Sequence, residues 1–325
     1  MDNLTHSLIG AVLGQAGLKR RTGLAMPALI IGANLPDIDA ACFFWLDGTE
    51  HLGFRRGITH GPPALILLPA LLAGALWGYD RWQARRGTRP EGRLPLRLGW
   101  LYLLSLFGCL THPLFDWFNV YGIRPLEPFS SRWFHGDVLF IIDLWLWVLL
   151  GFGVWFSRRR ERAGKSWRWP ALATIAAMSL YIGYNGLVTF GTQLVWALDT
   201  KGPSTSKAIA DPVRIAAPVP LAFWEREFIV GAPNRWFRVE AGVPPIERNA
   251  KPITNQPCAW PSAAQLATGG TQAEAFLFWS RAPFAEKAPN GSVILRDARF
   301  YDPRARGQFS VALPKVQCQP LAPQP

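Results

Sequence analysis

Three of the five histidines in this chain share one local context, an apolar residue followed by threonine and histidine. The three copies are Leu4-Thr5-His6, Ile58-Thr59-His60 and Leu110-Thr111-His112. Each copy adjoins a long apolar segment, and histidine is unfavourable at a membrane boundary unless it has a partner or a metal ion. The repeated context therefore predicts that separate apolar segments contribute histidines to one polar site.

Acidic residues accompany these histidines at spacings that suit metal coordination. His112 and Asp116 are four residues apart, which places both on one face of a helix. Asp37 and Asp39 would diverge on a regular helix, but Pro36 disfavours helical geometry at this point and allows both carboxylates to turn toward one site.

The candidate metal ligands are imidazole and carboxylate groups, without a thiolate. They are His6, Asp37, Asp39, His60, His112, Asp116, His135 and Asp137. This donor set favours zinc, with manganese or iron as alternatives, over a structural zinc centre of the cysteine type. The ligand count exceeds the three or four of a single catalytic zinc, which allows more than one ion and favours hydrolysis by metal-activated water.

Further residues are expected to act on the substrate or on the ligands. Asp39 and Asp37 are the expected catalytic carboxylates, because one that does not bind the metal can relay the proton. Arg56 and Arg132 could bind an anionic substrate group, although contact with lipid headgroups explains them equally well. Four further residues are expected to orient the metal ligands through hydrogen bonds without binding the metal themselves: Thr5, Thr59, Thr111 and Asp143.

Six apolar segments must position these groups, at residues 4–18, 24–45, 62–79, 98–118, 138–156 and 171–198. A transmembrane helix needs about 20 mainly apolar residues. The first segment is short and rich in glycine, so spanning, interfacial and re-entrant paths all stay open for it. A secretory signal peptide is disfavoured, because the basic cluster at 19–21 follows the apolar stretch instead of preceding it. The sequence predicts a mainly α protein, a polytopic transmembrane bundle of five or six apolar segments.

The charges of the loops orient this bundle. The loops at 19–23, 80–97 and 157–169 hold fifteen lysines and arginines, whereas those at 46–61 and 119–137 hold four. Cytoplasmic loops are enriched in these residues, so the candidate site is expected on the extracytoplasmic side. Binding of nucleic acid is not expected, because no nucleic-acid-binding motif accompanies the positive charge.

Residues 199–325 have a different pattern from the membrane domain at 1–198. Short runs of β-branched and aromatic residues, bounded by Pro, Gly and Asn, predict strands at 223–230, 235–240, 275–281, 292–300 and 308–313. A small β-rich extracytoplasmic domain is therefore expected. Cys258 and Cys318 both lie in it, and a disulfide between them suits an oxidising compartment, whereas Cys42 and Cys109 fall in apolar segments.

Four blocks of the sequence resemble a known family. The blocks are Asp2-Asn3-Leu4-Thr5-His6, Asn34-Leu35-Pro36-Asp37-Ile38-Asp39, Arg56-Gly57-Ile58-Thr59-His60 and His112-Pro113-Leu114-Phe115-Asp116. In this order they resemble the LexA-binding, inner-membrane-associated hydrolase family, over roughly residues 1–160. The resemblance implies a membrane-bound, metal-dependent hydrolase of the bacterial inner membrane, and the family name implies a LexA-type partner. The ligand order is also similar to that of zinc-dependent phospholipases C and related nucleases.

Three hypotheses follow from these patterns. The first is a metal-dependent hydrolase acting on a phosphoester or a lipid-linked envelope substrate, with membrane lipid as its surroundings. The second is a proton- or ion-coupled transporter, because intramembrane acidic and histidine residues also form ion pathways. The third is a non-catalytic membrane regulatory protein, in which the cytoplasmic loops would carry the function.

Overall fold

The computed structural model describes residues 1–198, 212–239 and 250–321. These residues form two compact units. The first unit contains residues 1–39, 56–187 and 220–223, and the second contains the described parts of 40–55, 188–219 and 224–325. Residue 199, where the C-terminal domain was predicted to begin, and Glu240, the end of a predicted strand, lie outside the described residues.

The N-terminal two thirds of the chain are helical. In chain order the α-helices are α1 (Asn3–Gln15), α2 (Ala25–Gly32), α3 (Glu50–Phe54), α4 (Pro62–Arg85), α5 (Leu98–Trp117), α6 (Leu144–Arg162) and α7 (Arg168–Leu198). Three 3-10 helices lie between them, at Leu18–Arg20, Leu35–Phe44 and Ile58–His60. The predicted mainly α architecture is confirmed at this level.

Local sequence signals account for several helix ends. Asp2 caps α1, because its side chain accepts hydrogen bonds from the amides of Leu4 and Thr5. Asp143 caps α6 in the same way through the amide of Leu146. Helix α6 begins at Leu144, so residues 138–143 of the predicted fifth segment are not helical.

Three helices are long and apolar enough to cross a membrane, namely Pro62–Arg85, Leu98–Trp117 and Arg168–Val195. The pair Ala25–Gly32 and Leu35–Phe44 adds a fourth candidate if its 51° bend belongs to one span. The break between the two helices falls at residues 33–34, and Pro36, Asp37 and Asp39 lie in the 3-10 helix that follows, so the predicted departure from regular α-helical geometry is confirmed. Helix α6 ends in a run of charged residues that shortens its apolar stretch, so the predicted count of five or six spans is not confirmed.

Glycines bring three helix backbones of the first unit close together. A Cβ atom on Gly10 of α1 or on Gly108 of α5 would lie 2.6 Å from the carbonyl oxygen of Leu29 in α2. Small residues at helix crossings allow such close approach. His6 precedes Gly10 by one helical turn, and His112 follows Gly108 by one turn, so the contacts at Leu29 also fix the positions of the two imidazoles.

The second unit contains two antiparallel sheets. The first has the order β1 (Val213–Pro218), β2 (Arg226–Ala232), β3 (Arg235–Val239) and β4 (Ala250–Pro252). The second has the order β5 (Pro283–Lys287), β6 (Ser292–Asp297) and β7 (Ser310–Gln317). The antiparallel C-terminal region is thus confirmed, although β1, β4 and β5 were not predicted.

One predicted strand of this region is wrong. Residues 275–281 belong largely to helix α9 (Gly270–Trp279), which follows the short helix α8 (Ala263–Ala267). Ala273, Phe276 and Trp279 are its buried residues, and their spacing of three is helical rather than alternating. Cys258 and Cys318 form a disulfide, a pairing that the sequence left open. Cys42 and Cys109, which fall in the apolar segments, are buried.

Replacing Gly108 by alanine should destabilise the first unit by about 1–3 kcal/mol, because the added methyl group overpacks the contact with Leu29. Gly74 of α4 is the matched control, since a Cβ atom there would meet no atom within 4 Å. Gly74→Ala should leave the thermal unfolding midpoint in detergent unchanged or raised. Equal midpoints for the two variants would contradict close packing at Leu29.

Candidate metal centre

Four side chains of the first unit come together as a group able to hold a metal ion. Asp37, His60, His112 and Asp116 each offer one ligand atom, and these atoms all lie within 4.8 Å of one another. His60, His112 and Asp116 are fully buried, and Asp37 is 9% exposed. Asp37 lies in the 3-10 helix after α2, His60 in the 3-10 helix before α4, and His112 and Asp116 in the last turns of α5.

The carboxylate of Asp116 is the common neighbour in this group. Its Oδ2 atom lies 3.4 Å from Nε2 of His60 and 3.5 Å from Nε2 of His112. Its Oδ1 atom lies 3.4 Å from Nε2 of His6 and also contacts the amino group of Met1. Helix α5 continues through Pro113, so His112 and Asp116 keep the i,i+4 geometry that their spacing predicts.

His6 adjoins the four-residue group by stacking on His112. The ring centroids are 3.8 Å apart and the planes differ by 19°. Neither ring nitrogen of His6 has a hydrogen-bond partner among the described residues, so both are free of competition for a ligand.

Hydrogen bonds behind the rings fix which nitrogen of His112 faces the group. Nδ1 of His112 lies 2.7 Å from the carbonyl oxygen of Ala33. A carbonyl oxygen can only accept, so Nδ1 carries a proton, and in the neutral tautomer with this proton the lone pair of Nε2 is directed toward Asp116. Metal-binding histidines are typically oriented by such a bond from the other ring nitrogen.

A chain of two hydrogen bonds, from His60 to Thr59 and from Thr59 to Asp39, sets the orientation of the His60 ring. The Thr59 hydroxyl donates to Oδ2 of Asp39 at 3.0 Å, and Nδ1 of His60 lies 3.0 Å from the same hydroxyl oxygen. Because the hydroxyl proton is directed to the carboxylate, Nδ1 of a neutral His60 must donate, which leaves a lone pair on Nε2. Asp39 also accepts from the backbone amide of Arg56 at 2.7 Å.

This arrangement fits a divalent cation. In their neutral tautomers, His60 and His112 both direct an Nε2 lone pair toward the buried Asp116 carboxylate, and neither can donate a hydrogen bond to it. Three electron-rich groups at such distances repel one another in a low-dielectric interior. A metal ion bound by the two imidazoles and the carboxylates would turn this repulsion into coordination.

Arg56 supplies a fixed positive charge beside the group. Its Nε lies 3.0 Å from Oδ2 of Asp116, and its Nη1 donates to Oδ1 of Asn119 at 3.0 Å. The guanidinium also lies over the ring of Tyr121, 4.5 Å from the centroid. The backbone of Arg56 is left-handed, with φ of 57°, a conformation that persists only where surrounding contacts hold it.

The other predicted site residues lie outside the four-residue group. Asp39 lies behind His60, with its Oδ2 3.7 Å from Nδ1. Asp137 is buried, whereas His135 is half-buried with its ring against Gly122. Arg132 is exposed and lies over the ring of Phe134.

Of the polar residues predicted to support the ligands, Thr59 does so directly. Thr5 donates to Asp2, and Thr111 donates to the carbonyl oxygen of Gly108 within its own helix. Asp143 caps α6 and accepts from the hydroxyl of Tyr181 at 2.9 Å.

Sequence reasoning did not identify two contributors to the site, the carbonyl of Ala33 and the side chain of Asn119. Every residue has a backbone carbonyl, so the sequence does not single out Ala33. Its carbonyl reaches His112 only because α2 ends beside α5. Asn119 follows Asp116 by three residues and is fully buried. A polar residue just after an apolar segment was a signal that could have been read.

If the group holds a metal ion, His112→Ala and His60→Ala should each contain less bound metal than the unmodified full-length protein when all are purified without chelator. Each variant removes an imidazole nitrogen that faces Asp116, so metal content per chain should fall by about tenfold or more. His51 is the matched control, since its Nδ1 lies 2.7 Å from the Gly48 carbonyl oxygen and it is not a member of the group. Metal content is measured by plasma mass spectrometry. Equal metal content in His112→Ala and His51→Ala would contradict a metal site at this group.

Thr59→Val should weaken zinc binding by about 10- to 100-fold, because the variant keeps the side-chain shape but removes the hydroxyl that sets the His60 tautomer. Thr111→Val removes a hydroxyl that bonds only within α5 and serves as the control. Competition with a fluorescent zinc chelator measures both affinities. The role of Thr59 would be refuted if the two variants bound zinc equally well.

Comparison with known proteins agrees with the membrane character of the chain. The model of the YdjM inner membrane protein family matches residues 1–192, which include every residue of the four-residue group. The uncharacterized protein YfhP of Bacillus subtilis (strain 168) is 25% identical over 194 residues, 57% of this chain, and the match spans about half of that relative, 52% of its length. No solved structure is significantly similar to the chain. The chain therefore belongs to the YdjM inner membrane protein family.

Proposed function

We propose that this protein is a membrane-bound, metal-dependent hydrolase. The observation that carries the proposal is the buried group of Asp37, His60, His112 and Asp116, whose ligand atoms lie within 4.8 Å of one another. Two imidazoles with fixed lone pairs and two carboxylates form a mixed nitrogen and oxygen donor set. Such sets hold catalytic zinc, with manganese or iron as alternatives.

The metal would be held by His60, His112 and Asp116, three protein ligands as in catalytic zinc sites. Asp37 lies beside them as the carboxylate that does not bind the metal, and His6 is available to a second ion or as a packing partner of His112. When bound, the metal supplies Lewis acidity, which polarises a phosphoester and activates water.

The two carboxylates of the Asp37-Ile38-Asp39 turn are proposed to have different roles. Asp39 accepts from Thr59 and from the Arg56 amide, so it is a positioning residue that orients His60. Asp37 is the most exposed member of the group, and its Oδ1 lies 3.7 Å from Nε2 of His112. We assign the transfer of the proton during hydrolysis to Asp37.

Arg56 is assigned to charge compensation rather than to substrate binding. Its guanidinium contacts Asp116 and Asn119 and is 5% exposed as a residue. A cation held beside Asp116 limits the excess negative charge of the group before a metal binds.

The site is proposed to face the extracytoplasmic side of the inner membrane, in a multi-pass chain of five or six crossings. The uneven distribution of Lys and Arg among the loops supports this orientation. The Cys258–Cys318 disulfide supports it independently, because disulfides persist in oxidising compartments such as the periplasm. A site at this face would act on a lipid-linked or envelope phosphoester.

The two other hypotheses fit the group less well. A transporter would place polar groups along a path across the bilayer, whereas the group's ligand atoms converge within 4.8 Å. A regulatory protein with a LexA-type partner would leave this buried donor set without a role. Both remain the alternatives to hydrolysis.

Hydrolysis is tested with the full-length protein in detergent, loaded with zinc and given a chromogenic phosphodiester and a long-chain lipid phosphoester. The unmodified protein and His51→Ala should hydrolyse at least one substrate. Asp37→Asn should lose about 100-fold or more in kcat if it transfers the proton, while retaining zinc better than His112→Ala. A protein that binds zinc stoichiometrically but hydrolyses neither class would refute the hydrolase proposal and leave the metal site intact.

A further inference from the structure

A second polar feature of the first unit lies among the lysine- and arginine-rich loops rather than at the histidines. It is a cavity of about 410 Å³ whose wall includes Lys19, Arg20, Arg93, Leu94, Glu161 and Trp167. Three cations and one carboxylate line it, so it carries a formal excess of two positive charges. We propose that this cavity binds the phosphate headgroup of an anionic phospholipid.

The cavity lies where candidate membrane spans begin and end. Arg93 and Leu94 belong to the connection between the end of α4 and the start of α5, and Trp167 directly precedes α7. These three helices are the candidate spans, and their ends mark the boundary between hydrocarbon and water. Tryptophan and basic residues concentrate at that boundary, where lipid phosphates also lie.

The cations are held in place by specific contacts. Nζ of Lys19 lies 2.6 Å from Oε1 of Glu161 and 4.2 Å from the ring centroid of Trp167. Nη1 of Arg93 lies 2.8 Å from Oδ1 of Asp80. Both cations are thus oriented before a ligand arrives, which lowers the entropy lost on binding.

Arg20 is the cation left available for a ligand. It is exposed and lies over the ring of Trp167, 5.7 Å from the centroid, without a carboxylate partner among the described residues. Its guanidinium can form a two-point contact with phosphate, the geometry for which arginine is suited.

The remaining wall of the cavity is apolar. Leu24, Met26 and Pro27 line it beside Leu94, so cations and aliphatic surface occur together. A free phosphate ion would gain nothing from the aliphatic part, whereas a phospholipid presents a phosphate joined to acyl chains. The combination therefore favours a lipid over a soluble anion.

Binding is measured by native mass spectrometry of the full-length protein in non-ionic detergent, titrated with phosphatidylglycerol, phosphatidylcholine or inorganic phosphate. Phosphatidylglycerol should bind about fivefold or more tightly than phosphatidylcholine. Millimolar inorganic phosphate should not displace it. Equal binding of the two lipids, or displacement by inorganic phosphate, would overturn the proposal.

The variants separate a defined site from general surface charge. Arg20→Glu should reduce the affinity for phosphatidylglycerol about fivefold or more, and Arg20→Gln should reduce it less. Arg85→Glu makes the same charge change at the exposed end of α4, outside the cavity wall, and should leave the affinity within about twofold. Equal losses in Arg20→Glu and Arg85→Glu would show binding by surface charge alone and overturn the proposal. Unchanged thermal midpoints verify that the variants are folded, and zinc content should be unaffected in all of them.

Discussion

The first unit is organised around one buried carboxylate, that of Asp116. It is fully buried and lies within 3.5 Å of ring nitrogens of His6, His60 and His112. An ionised carboxylate removed from water costs several kcal/mol unless positive charge and hydrogen bonds compensate it. Arg56 at 3.0 Å and the amino group of Met1 provide part of this compensation, and a bound metal ion would add to it. The helices that bear these residues must therefore pack closely enough to deliver them to Asp116.

Close packing and tautomer selection are coupled in this unit. The carbonyl of Leu29 is approached by the glycines of α1 and α5, and the end of α2 then presents the carbonyl of Ala33 to His112. The same backbone arrangement thus seats the imidazole and determines which of its nitrogens is protonated. For His60, the Thr59 hydroxyl, which donates to Asp39, determines the tautomer. Two unrelated local structures therefore both place the proton of the ring on Nδ1.

The patterns that the sequence predicted well are those set by local chemistry. Apolar length identified the helical part of the chain, Pro36 indicated the departure from α-helical geometry around Asp37 and Asp39, and the i,i+4 spacing placed His112 beside Asp116. The three Thr-His copies looked equivalent in sequence, but only Thr59 contacts the imidazole next to it, because each hydroxyl is directed by its own backbone surroundings. The roles of Ala33 and Asn119 depend on long-range packing, which local sequence patterns do not record. Residues 275–281 were mistaken for a strand because, over so short a run, their aromatic residues fit both the helical and the strand periodicity.

We propose that His60 and His112 direct unprotonated Nε2 atoms at a metal ion shared with carboxylates. X-ray absorption at the zinc edge of the full-length, zinc-loaded protein tests this most directly. We predict a first coordination shell of nitrogen and oxygen at about 2.0–2.1 Å, with the multiple-scattering signature of at least two imidazoles and no sulfur. A spectrum with zinc–sulfur scattering, or one without imidazole scattering, would contradict the account.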